Sequence, residues 1–171
     1  MSRRLPPAWV LVLFGLVLNV MAILMSSVVL DKLSNEINGL SEKKSENIYA
    51  IQLAWSHVET LERKREMLLL HLGQAETMDD SIAMVLRGQL SDWVNQPVPA
   101  IIQSNLASLM TLINRAQQLE REKIDDYYLH NLTIGEQMAR LDHDIAWYKN
   151  VGLFLQIFGL ALILARDLAR K

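Results

Sequence analysis

Cysteine is absent from the 171-residue chain, which excludes a disulfide scaffold, a thiolate metal centre and a cysteine nucleophile. Proline is scarce: two of the four stand at positions 6 and 7 and two at 97 and 99, so helix can run unbroken between them. No glycine-rich phosphate loop and no nucleophile elbow occur. The four histidines, His57, His71, His130 and His143, fit neither Glu-x-x-His nor His-Glu-x-x-His. Asp142, His143 and Asp144 are consecutive, and consecutive residues of a helix point apart, so they cannot converge on one ion. These gaps leave no catalytic signature, and we expect neither an enzyme nor a cofactor or metal site.

Charge is missing as well, from Ala8 through Leu30, 23 residues in a row. At about 1.5 Å of rise per residue such a run covers the roughly 30 Å hydrocarbon core of a bilayer, which predicts a transmembrane helix over residues 8–30. A signal peptide is the rival reading. The run is longer than the roughly 7 to 15 residues of a signal core, and Val28, Val29 and Leu30 continue it past the only small pair, Ser26 and Ser27, so the sequence favours retention. A second apolar run, Val151 to Ala165, is too short to span alone; starting it at Ile145 completes a span over residues 145–165. Lys149 then snorkels outward, and Trp147 and Tyr148 lie at the interface.

What is present in quantity is charge at either side of these runs. The tails, residues 1–7 and 166–171, carry a net +4, and the central residues 31–144, with the flanking Lys149, carry −6. Basic outer ends predict that both termini are cytoplasmic and the central domain periplasmic or extracellular, with the chain in the plasma (inner) membrane. An acidic centre argues against nucleic acid as a partner.

The central segment reads as helix with a heptad stripe. From Leu30, steps of three and four give Leu33, Ile37, Leu40, Lys44, Asn47, Ile51, Ala54, Val58, Leu61, Arg65, Leu68 and Leu72, a 3.5-residue repeat. This predicts a helix over about 31–72, with Gly73 at its C-cap. Thr77 and Asp80 have the spacing of a capping box for a short tip helix, about 78–94, with Ile82, Leu86, Leu90 and Trp93 on one face. That face either folds back onto the other helices or docks a partner. Pro97 and Pro99 end it. A third helix is expected from 100 to 144, leading into the second span. Its stripe of Ile102, Leu106, Leu109, Ile113 and Ala116 shifts by one residue near Glu120 and resumes at Ile124, Tyr127, Asn131, Ile134, Met138, Leu141, Ile145 and Tyr148. The fold class that follows is an all-α membrane protein, with two transmembrane helices bracketing a long antiparallel helical hairpin or bundle and a short tip helix.

If both long helices start from one membrane surface, facing residues have numbers adding to about 180. Lys44 then lies near Glu136, Asn47 near Asn131, and Arg65 within a turn or so of Glu120. Lys44, Asn47, Asn131 and Glu136 thus form a polar layer that either fixes the register or lines a small-ligand site. Within the spans, Asn19 and Gln156 fall at similar depth and are candidates for an interhelical hydrogen bond, with Gly152 and Gly159 allowing close approach.

The order of span, helical segment of more than a hundred residues and span resembles the sensor half of bacterial chemoreceptors and of sensor kinases with helical-bundle input domains. The resemblance implies a ligand-sensing input module, and since only Arg-Asp-Leu-Ala-Arg-Lys follows Ala165, it implies a separate output protein. The residues themselves favour a non-enzymatic, membrane-anchored interaction or accessory subunit. Its partners are the lipid bilayer and either further copies of itself, as a homo-oligomer, or another membrane protein, because heptad stripes call for a neighbour on each side.

Overall fold

The computed structural model describes residues 8–73 and 79–168, and among these it is helical almost throughout, with no strand. Helix α1 spans Ala8–Leu24 and passes through a π-helical turn, Met25–Leu30, into α2, Asp31–Gly73. Helix α3 is Asp80–Val94, and a 3₁₀ turn at Gln103–Asn105 leads into α4, Leu106–Leu168. Two stretches of helix, Trp9–Gly73 and Gln103–Ala165, are long and apolar enough to cross a membrane. Thr133 and Gly135, residues of modest helix propensity, do not interrupt α4.

Helix α3 begins two residues later than the sequence suggests, and its cap is Asp79. The carboxylate Oδ1 accepts from the backbone N–H of Ser81 at 2.9 Å and from its hydroxyl at 2.8 Å, which satisfies an opening N–H that the helix itself leaves without a partner. Thr77 of the expected capping box lies outside the described residues. Asn95 ends α3 in the left-handed region at φ 52°, a conformation that asparagine tolerates better than most residues.

The third long helix does not start at residue 100 as expected. Pro99 disfavours a helical conformation at Val98, and Ile102 is still extended, with φ −134° and ψ 157°. Non-helical backbone here, in which the Ile102 N–H donates to the Ala100 carbonyl at 3.0 Å, carries Val98 and Ile101 into the core, where they are 2% and 5% exposed. The Arg87 Nε donates to the Val98 carbonyl at 2.6 Å, and the Asn105 side-chain amide donates to the Ala100 carbonyl at 2.9 Å, fastening the segment at both ends.

The chain divides into two compact units, one of Lys44–Leu132 and one of the described residues up to Lys43 together with those from Thr133 onward. In the Lys44–Leu132 unit, α3 packs on α2 and α4. Leu86, Leu90 and Val94 meet Leu61, Leu68 and Leu72 from α2 and Leu109, Ile113 and Ala116 from α4. Leu68, Leu90, Leu109 and Ile113 are wholly buried, and each such side chain contributes about 1.5 to 3 kcal/mol by leaving water. In the other unit, α1 and the C-terminal part of α4 run antiparallel. Gly15 faces Gly159, Leu162 and Ile163, while Ala22, Ser26 and Leu30 lie opposite Tyr148 to Gln156.

Candidate functional site

The first heptad stripe is the inward face of its helix. Every position from Leu30 to Leu72 is buried or half-buried except Lys44, which is exposed. Antiparallel pairing in the Lys44–Leu132 unit brings Asn47 to Asn131, His57 to Glu120, and Gln117 to Val58 and Glu62. The paired numbers add to between 175 and 179, against the 180 expected from equal rod lengths.

Asn47 and Asn131 are the part of the polar layer that the structure joins: the Asn47 Nδ2 donates to the Asn131 Oδ1 at 2.9 Å. Both are half-buried, so the bond is sheltered from competing water. Lys44 and Glu136 are both exposed and belong to different units. Arg65 does not reach Glu120. It pairs with Glu62 one turn back on its own helix at 2.6 Å, and Glu120 instead meets Lys123 at 2.7 Å and His57 at 3.9 Å. The His57 ring also packs edge-on against Trp93 of α3, with centroids 5.1 Å apart.

A polar residue that the stripe analysis passed over is central here. Gln117 is 5% exposed, and its Nε2 donates to the Glu62 carboxylate at 2.9 Å and to the Val58 carbonyl at 3.3 Å. It sits where the second stripe shifts phase, between Ala116 and Glu120, and that shift is the signal that turns a flanking position inward.

Of the tip-helix residues, Leu86 and Leu90 face the core of their own unit. Ile82 is exposed, and Trp93, at 38% exposure, lies against His57. Met67, Ile82, Val85 and Gln89 line an open groove of about 350 Å³ between α2 and α3. Further along the same unit Ile48, Leu53, Trp55, Tyr128 and Leu132 are exposed.

In the unit that holds the apolar runs, the expected bond between Asn19 and Gln156 is not made. The Asn19 Nδ2 donates to the Gly15 carbonyl of its own helix at 2.9 Å, satisfying the amide without a partner from α4. Close approach occurs at Gly15 and Gly159: a Cβ on Gly15 would stand 2.6 Å from the Gly159 carbonyl, and one on Gly159 would strike the Asn19 amide and the Gly15 carbonyl. Gly152 has open space where a Cβ would be, so it is not a contact point between the helices. Gln156 is exposed and borders a separate hollow.

The arrangement consists of packing contacts between helices, with apolar side chains left exposed beside them. Among the described residues no three His, Cys, Asp or Glu side chains come together as a metal site would need. Comparison with protein-family models, with curated proteins and with solved structures finds no match to this chain.

Proposed function

We propose that the chain is a two-pass membrane protein, with both termini in the cytoplasm, whose central helical segment serves as a non-enzymatic interaction or accessory subunit of a membrane complex. The observation that carries the membrane part is the inverted packing of the apolar helices. Gly15, Ala22 and Gly159 are buried between them, whereas Leu13, Phe14, Leu16, Phe154, Ile157 and Leu164 point away from the pair. Only 11% and 6% of the two most apolar windows is buried. Large side chains outside and small ones within suit helices solvated by lipid, where close backbone packing replaces the hydrophobic effect. The basic tails supply the orientation.

Support for an interaction role comes from the acidic unit. Its own core is complete around Leu90, yet the groove at Met67 and Ile82 and the outward Ile48, Trp55 and Leu132 remain exposed. Exposed apolar surface of this kind on a water-facing segment marks contact sites. A further copy of the chain or another membrane protein is the partner this suits. Asn47 and Asn131 spend hydrogen-bonding capacity on one another, which favours a register-setting role over ligand capture. Purification from membranes in a mild detergent, followed by mass measurement of the particle, tests the proposal. Recovery of a stoichiometric assembly supports it; a monodisperse single chain contradicts it.

A further inference from the structure

The unit formed by the apolar runs contains a hollow of about 210 Å³ at the end nearer the central segment, below the roughly 300 to 1,000 Å³ of sites for drug-sized ligands. Its origin is local. The π-helical turn Met25–Leu30 carries Ser26 and Leu30 of one wall, and such turns break the regular stacking of side chains along a helix. Across from them Gly152 leaves space unfilled where any other residue would place a Cβ, and Ala22 adds only a methyl group.

The rim is polar and its groups are unspent. Ser26, Lys149 and Gln156 border the hollow, and none of the three side chains has a hydrogen bond or ion pair with another described residue. Asp31, next in sequence to Leu30, forms no ion pair with Lys149. Leu153 adds apolar surface beside the cation. Trp147 and Tyr148, stacked edge to face at 4.9 Å, belong to the aromatic pattern found at the headgroup level of a bilayer. All three side chains are exposed, so they are open to a ligand that supplies an acceptor at the level of the headgroups.

We infer that this hollow is a binding site for the phosphate headgroup of an anionic phospholipid, with the Lys149 ammonium on the phosphate, Ser26 and Gln156 as neutral donors, and Leu153 against the first part of the acyl chain. The inference rests on the two-pass reading. A single lysine with adjacent donors recognises a phosphate through charge-assisted hydrogen bonds. The apolar wall continuous with it selects a phosphate that carries a chain.

The test uses the full chain, purified in mild detergent and stripped of lipid, with native mass spectrometry reading retained lipid. The probes are phosphatidylglycerol, phosphatidylcholine with the same chains, and inorganic phosphate as competitor. Phosphatidylglycerol is expected to be retained in preference to phosphatidylcholine, and Lys149→Gln to weaken that retention about tenfold, as the loss of one charge-assisted bond implies. Gly152→Leu, which fills the hollow, should weaken both lipids. Equal retention of the two lipids, or unchanged retention in Lys149→Gln, overturns the site. Lys149 is exposed, so its replacement leaves the fold intact and decides the matter even where Gly152→Leu does not fold. Displacement of the lipid by millimolar inorganic phosphate overturns the lipid assignment in favour of a free anion. Failure of the two-pass reading is separately visible, as a chain that stays in solution when membranes are sedimented.

Discussion

Single residues mark the alignment of both helix pairs, and they do so by opposite means. At Gly15 and Gly159 the absence of a side chain lets two backbones touch; at Asn47 and Asn131 two half-buried amides are bonded to one another, and we propose that this pair disfavours slipped alignments, which would break the bond. Gly159→Val is therefore expected to cost about 1 to 3 kcal/mol through overpacking, while Gly152→Val, with open space before it, is expected to cost little. Unfolding of the detergent-solubilised variants in increasing sodium dodecyl sulfate gives the comparison. For the asparagines, a double-mutant cycle with Asn47→Ala and Asn131→Ala should return a coupling of about 0.5 to 1.5 kcal/mol. A coupling near zero would remove them from register selection.

At the scale of elements, the stripes from Leu33 to Leu72 and from Ile102 to Tyr148 were readable because a 3.5-residue repeat states directly which face turns inward, and only Lys44, Ile102 and Tyr127 among those positions are exposed. Other features carry no such signature. Val98 and Ile101 reach the core from non-helical backbone, where helical periodicity is silent, and the π-helical turn at Met25–Leu30 lies inside a uniformly apolar run. Gly15 was indistinguishable in the sequence from Gly152, because contact and open space look alike in one dimension. Charge and register place Arg65 within a turn or so of Glu120, and the nearer Glu62 on its own helix takes the pairing instead.

The α3 cap gives an element-scale prediction. Hydrogen bonds from the Ser81 backbone and hydroxyl hold the Asp79 carboxyl below its ordinary pKa. A folded-state pKa lower than the unfolded one means that the ionised cap stabilises α3 fully above the unfolded value, and that this support is lost as pH falls through the folded value. Amide hydrogen exchange in the first turn of α3 should accordingly speed up, relative to its intrinsic rate, on acidification through that range, and Asp79→Ala should remove the pH dependence while leaving the centre of α3 protected. A pH response that survives in Asp79→Ala would assign it to another group.

For the whole molecule, the central segment and the apolar runs divide the chemistry of the chain between them: the one buries leucine and isoleucine and exposes charge, and the others bury glycine and alanine and expose leucine and phenylalanine. That inversion is the reason for assigning them to different solvents. The absence of native cysteine makes the assignment directly measurable, since any introduced thiol is the only one present. Ser2→Cys, Glu122→Cys and Lys171→Cys variants, produced in intact cells, can be exposed to a membrane-impermeant maleimide before and after permeabilisation. The two-pass account predicts labelling of position 122 in intact cells and of positions 2 and 171 only after permeabilisation. Equal protection of all three positions, or labelling of position 2 and position 171 on opposite sides, would contradict it.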